Sequence, residues 1–182
     1  TLFVSVAAGT TIGYFESVLG GDTPIVRAMP NTPAAISKGI TAIVGNAKAG
    51  SRSLDEAETL LSAVGEVVRL TEEAQIDAVT GVSGSGPAYV FHMIECMAAA
   101  GVAQGLPEEL AMQLAKATVA GAGALAMQAE EDPAQLRVNV TSPNGTTQAA
   151  LEVLMDETEG FPPLLKRAVA AAADRSRELA NG

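Results

Sequence analysis

The sequence predicts the later part of a doubly wound α/β domain over residues 1–72, followed by an all-α helical domain over residues 73–182 that serves dimerisation. Three observations carry that expectation. Strand and helix signals alternate through the first seventy or so residues, whereas the remainder shows almost only helical periodicity. The helical part also combines long apolar stripes with runs of Gly and Ala, in a chain whose residues are 48% apolar but only 3% aromatic. Helices short of bulk gain by packing closely, on one another in an ordinary intrachain bundle or on a second chain.

The elements follow in order. Residues 2–6 form a short apolar run that ends at Ala7-Ala8-Gly9, which reads as a strand. Thr10-Thr11 then caps a helical pattern through Leu19, closed by Gly20-Gly21. Residues 24–29 are a second strand stopped by Pro30, and residues 40–44 a third. Ser53-Leu54-Asp55-Glu56 reads as a capping box for a helix that places Leu54, Ala57, Leu60, Leu61 and Val64 on one face. Gly65 ends that helix, and residues 66–70 form a fourth strand. A sheet of four short strands is the later half of such a domain, and the half with a phosphate-binding turn is not in this sequence. The chain also opens without Met inside an apolar run, as a fragment would.

From Glu72 onward helices are expected at about residues 74–79, 87–103, 107–128, 133–139, 146–156 and 162–180. In the second, Val90, Met93, Ile94, Met97 and Gly101 recur at helical spacing; in the third, Leu110, Leu114, Ala117, Gly121 and Leu125 do. Both stripes are apolar enough for full burial. Gly121 and Gly123 sit mid-helix, where each glycine costs about 1 kcal/mol relative to alanine, so a close approach there is the expected compensation.

Composition excludes several function classes. With 21 acidic against 11 basic residues, the net charge of −10 opposes the phosphate-neutralising surface that a nucleic-acid binder needs. One cysteine, Cys96, and one histidine, His92, leave no zinc cluster and no intramolecular disulfide, so no metal is expected and a reduced, cytoplasmic setting is. His92 lies between Phe91 and Met93 in a helical pattern, a poor place for the base of a Ser-His-Asp triad. The most membrane-like stretch, residues 111–129, contains Gln113, Lys116 and Gln128 and is rich in Ala and Gly, so a buried helix explains it better than a membrane span.

Two apparent motifs are rejected. Gly121-Ala122-Gly123-Ala124-Leu125-Ala126 satisfies the dinucleotide fingerprint in spelling, but no strand precedes it. Gly81-Val82-Ser83-Gly84-Ser85-Gly86 lacks the last glycine of a nucleophile elbow and the lysine of a phosphate loop, and reads as a flexible cap before the next helix.

Residues 139–151 differ. Hydroxyls, a Pro-Asn-Gly turn and a helix start fall together, so backbone N–H groups and the positive end of a helix dipole converge. That suits a small carboxylate held without Arg or Lys; an ordinary Thr/Asn cap is the alternative. Met29-Pro30-Asn31-Thr32-Pro33 and Ser5-Val6-Ala7-Ala8-Gly9 end two successive strands, where α/β sheets hold ligands, and could bracket a flat ring.

Met29-Pro30-Asn31-Thr32-Pro33, residues 79–89 and residues 140–151 together make the chain resemble pyrroline-5-carboxylate reductase through essentially its whole length, with Thr-Ser-Pro-Asn-Gly-Thr-Thr the most specific segment. The resemblance implies a partial Rossmann-like domain, a helical domain that interlocks with a partner chain into a homodimer, further assembly into a decamer, and reduction of the cyclic imine pyrroline-5-carboxylate to L-proline by NADPH or NADH. It places Val6, Ala7, Ala8, Asn31 and Asn139 at the cofactor. It places Ser142, Gly145, Thr146 and Thr147 around the substrate, with Glu73 and Glu130 nearby, and gives Thr147 a catalytic hydroxyl at the imine nitrogen. Asn144 and Thr146 stand where some relatives carry smaller residues, and without a fingerprint turn the chain alone should bind dinucleotide weakly or not at all. The rival readings are a two-domain hydroxy-acid dehydrogenase, which would want a Lys or His proton donor, and a non-catalytic dimerisation fragment.

Overall fold

The computed structural model describes residues 1–180. Strands β1 (Phe3–Ser5), β2 (Ile25–Met29), β3 (Gly39–Gly45) and β4 (Gly65–Arg69) form one sheet in the order β1-β2-β3-β4. Helix α1 (Ile12–Leu19) connects β1 to β2 in parallel, and α2 (Ser51–Leu61) connects β3 to β4 in parallel. Between β2 and β3 the chain makes only a 3-10 turn, Thr32–Ile36, and so short a connection returns β3 antiparallel. The expected α/β sheet is therefore mixed, with β3 antiparallel to β2.

The side-chain alternation of the central strands builds a core on each face. Val26, Ala28 and Ile43 pack with Ala57 of α2 and the partly buried Leu54 and Leu61. Ile25 and Val44 pack on the other face with Ile12, Ile76 and the partly buried Phe15. Thr11 caps α1 by accepting from Tyr14 N at 3.2 Å, as expected. The expected capping box does not form. Asn46 Oδ1 accepts from Lys48 N and Ala49 N, fixing a tight turn after β3, and α2 starts immediately after Gly50. Ser53 consequently lies inside the first turn, and Glu56 pairs instead with Arg52 at 3.0 Å.

The remaining helices are α3 (Gln75–Val79), α4 (Gly86–Ala103), α5 (Glu108–Gln128), α6 (Pro133–Asn139), α7 (Thr146–Leu154) and α8 (Phe161–Ala180). By contacts the described residues divide into two units, 1–87 with 167–180 and 88–166. The last helical turns therefore belong with the sheet, a grouping that local sequence signals do not reveal.

In the first unit, the glycine-rich segment expected as a flexible cap is instead a π-helical turn, Thr80–Gly84. Its reason is packing. A Cβ placed on Gly81 would stand 2.7 Å from Val169 O and 3.2 Å from Val169 Cγ1, so only glycine lets α8 lie this close. Ser176 on α8 is buried and donates to Asp77 Oδ1 at 2.6 Å, fastening the same junction.

In the second unit, α4 and α5 meet through Ala98, Ala111 and Ala115, with Ile94 and Met112 beside them. The expected full burial of both stripes does not occur within the chain: Val90, Met97, Leu110, Leu114 and Leu125 are exposed. The pairing of α4 with α5 uses one small-residue seam and leaves their other apolar faces open. Apart from the helix's own backbone, no atom of the described residues lies within 4 Å of a Cβ built on Gly121 or Gly123, so neither glycine is needed for a contact among them. By length and composition α5 could also cross a bilayer.

Candidate functional site

The expected site residues fall into two groups, one in each unit. In the first, Val6, Ala7 and Ala8 follow β1, and Asn31 follows β2. Because β1 and β2 are parallel with Ser5 opposite Arg27, both exits lie at the same end of the sheet. Ala7 N donates to Ser5 Oγ at 3.2 Å, and Gly9 turns the chain with φ 75°, a conformation that favours glycine. Asn31 is fixed by its own side chain: Oδ1 accepts from Ile40 N at 3.0 Å, and Nδ2 donates toward Ser83 O and Oγ at 3.4 Å. A cavity of about 190 Å³ opens at these strand ends, lined by Ala8, Gly9, Arg27 and Met29, with Ser85 and Ser176.

Glu73, expected beside the substrate from the helical domain, belongs instead to the unit that holds the sheet. Its Oε1 accepts from Arg27 Nη1 at 2.7 Å and from Ile12 N at 2.8 Å. Arg27 itself is 4% exposed. A guanidinium taken out of water is strongly disfavoured without a partner, so the Glu73 carboxylate sits where Arg27 requires one. Sequence reasoning missed Arg27, although a charge in an otherwise apolar strand, Ile-Val-Arg-Ala-Met, is the signal that could have found it. It also missed Ser176, which approaches the cavity only through the long-range docking of α8.

In the second unit, residues 139–147 form a turn that leads into α7. Asn139 ends α6, and its Oδ1 accepts from Gln135 Nε2 at 2.8 Å. Thr141 Oγ1 donates to Arg137 O at 2.6 Å, which returns the chain over the end of α6. Gly145 N donates to Ser142 O at 3.0 Å, and Asn144, with φ 57°, supplies the left-handed step that Asn tolerates better than most residues. Asn144 N donates to Gln148 Oε1 at 2.8 Å, so the turn is locked from the first turn of α7.

Gly145 is the N-cap of α7 and offers no side-chain cap. The N–H groups of Thr146 and Thr147 thus meet no intrahelical acceptor, as in any first helical turn. Among the described residues, no hydrogen bond engages the hydroxyls of Ser142, Thr146 or Thr147. Unengaged donors and the positive end of a nine-residue helix therefore share one place, an arrangement suited to a carboxylate. His92 takes no part in it: it lies exposed on α4 with Nδ1 3.0 Å from Glu95 Oε2.

Comparison with known proteins bears on both groups. Residues 73–179 match the model of the family described as pyrroline-5-carboxylate reductase dimerisation. The chain is 47% identical over 179 residues to a pyrroline-5-carboxylate reductase of Pseudomonas aeruginosa, and 43% identical over 178 residues to that of Glycine max, covering 98% of this chain in each case. It spans 65% and 64% of those relatives' lengths. Among solved structures, a pyrroline-5-carboxylate reductase from Coxiella burnetii superposes with a TM-score of 0.93 at 39% identity, covering 98% of this chain and 65% of that one. A Plasmodium falciparum pyrroline carboxylate reductase with NADP bound superposes with a TM-score of 0.87 at 30% identity, covering 99% and 71%.

Proposed function

Because this chain belongs to the pyrroline-5-carboxylate reductase family, we propose that the protein reduces pyrroline-5-carboxylate to L-proline with NADPH or NADH, the last step of proline synthesis. The observation that carries this reading is the open N-terminus of α7, with three hydroxyls free beside it. The substrate carboxylate is held by the N–H groups and hydroxyls of Ser142, Gly145, Thr146 and Thr147. Thr147 Oγ1 bonds the imine nitrogen and holds its proton. A protonated imine is already a strong electrophile, so positioning supplies much of the acceleration and no strongly basic side chain is required.

The nicotinamide group fits the residues at this end of the sheet. Ala7, Ala8 and Gly9 offer little side-chain bulk, and the cavity beside them has room for part of a flat ring. Val6, Ala7, Ala8 and Asn31 hold that ring, and Asn139 is a further cofactor contact. When bound, the group supplies the hydride; the chain's residues orient the imine toward it and exclude water.

Residues 1–72 act as the later part of the nucleotide-binding domain and residues 73–182 as the dimerisation and substrate domain, a division supported by the family match beginning at residue 73. A second copy of the chain covers the apolar faces of α4 and α5, with Gly121 and Gly123 at the close approach. Lys116, Gln113 and Gln128 on α5 favour a protein partner over a bilayer. Dimers assemble further into a decamer in the cytoplasm.

The test is steady-state kinetics of Ser142→Ala and Thr147→Ala in the full-length enzyme. Loss of Ser142 Oγ raises KM for the imine, and loss of Thr147 Oγ1 lowers kcat, each by roughly tenfold or more, the scale of one hydrogen bond to a charged group. Unchanged kinetics in both variants removes the assignment.

A further inference from the structure

The segment from Val6 to Thr11 is anchored at both ends. At its start Ser5 is buried in β1. At its far end Ile12 N, the first amide of α1, donates to Glu73 Oε1 at 2.8 Å, and the same oxygen takes the 2.7 Å bond from the buried Arg27. The backbone carrying Glu73 is itself held, because Gln75 Oε1 accepts from Thr71 N, Thr71 Oγ1 and Glu72 N. Arg27 also lines the strand-end cavity beside Ala8 and Gly9. One carboxylate oxygen thus ties α1, β2 and the lead-in to α3 together at the edge of that cavity.

We propose that Glu73 is a positioning residue for the cofactor end of the site, fixing residues 6–11 through the N-terminus of α1 and the guanidinium of Arg27. The proposal rests on the reading that residues 6–8 face the nicotinamide. A carboxylate at a helix N-terminus and against a buried guanidinium is stabilised by both, so its place is firmly set. Glu73 then acts on dinucleotide binding through the loop, without touching the imine.

The experiment uses Glu73→Gln in the full-length enzyme, with three readouts: the NADPH dissociation constant by fluorescence, KM for pyrroline-5-carboxylate at saturating NADPH, and amide hydrogen exchange. Loss of the ion pair raises the NADPH constant and speeds exchange at residues 7–12 by about tenfold, with exchange at residues 40–44 and the imine KM within about twofold of wild type. If Arg27, left without its partner, prevents folding, the double variant Arg27→Met with Glu73→Gln removes both charges and is read the same way. An unchanged NADPH constant overturns the proposal, as does a rise confined to the imine KM, which would make Glu73 a substrate contact. Uniformly faster exchange across the sheet also overturns it, marking a general structural role. A wild-type enzyme that binds no dinucleotide refutes the functional reading as well, so the two failures are distinguishable.

Discussion

Replacing Gly81 by alanine tests the junction on which the sheet-side cavity depends. A new Cβ would stand 2.7 Å from Val169 O, 3.2 Å from Val169 Cγ1 and 3.5 Å from Ala173 Cβ. The nearest atom is backbone of α8, which cannot turn aside as a flexible side chain can. Overpacking of this kind costs typically 1–3 kcal/mol, against which removing a helical glycine returns about 0.5–1 kcal/mol. A net loss of about 1–2 kcal/mol is expected, equivalent to a fall in Tm of roughly 2–8 °C for a protein of this size. The assay is thermal unfolding at one fixed protein concentration, because association also shifts Tm. Gly21→Ala is the comparison, since no atom of the described residues lies within 4 Å of a Cβ placed there. A Gly81→Ala protein as stable as wild type, with an intact cavity, would mean that α8 is not seated by this glycine.

Further outcomes follow from other contacts. Ser176→Ala removes the 2.6 Å bond to Asp77 and leaves a carboxylate oxygen short of a partner, so denaturant unfolding should show a loss of about 1–2 kcal/mol. At Asn144, with φ 57°, glycine should be tolerated or slightly stabilising while valine costs about 1–2 kcal/mol, again by unfolding. Asp156 accepts from Thr158 Oγ1, Thr158 N and Glu159 N, and these bonds, the hydroxyl first, hold its carboxyl below the ordinary aspartate value. Its stabilisation of this turn is thus present above the unfolded-state value and lost as pH falls through the folded one; amide exchange at Thr158 and Glu159 should accelerate over that acid window. If a second copy packs against α5 at Gly121, as proposed, Gly121→Leu should weaken association severalfold by sedimentation, because the approaching helix would leave no space for the side chain.

How much of this was legible depends on the range of the interactions involved. Thr11 and the Pro143-Asn144-Gly145 turn were readable because each uses side chains within a few residues of one another. The capping box at Ser53 misled because Asn46, seven residues earlier, organises the loop and starts α2 sooner. The antiparallel β3 was hidden because strand patterns carry no direction; only the short 3-10 connection decides it. The π turn at Thr80–Gly84 depends on α8, nearly ninety residues away, and has no local signature. In the same way, the apolar stripes of α4 and α5 reveal that something must cover them, but only part of that cover lies in this chain. Arg27 and Glu73 are 46 residues apart, and their pairing becomes visible only once β2 and the lead-in to α3 are placed together.

Whether a cyclic imine is reduced at the open end of α7 is decided by product formation in the full-length enzyme. With NADPH and pyrroline-5-carboxylate, one L-proline should form per NADPH oxidised, and turnover should fall sharply in Thr147→Ala. Oxidation of a hydroxy acid with no proline formed from the imine would contradict imine reduction at this site.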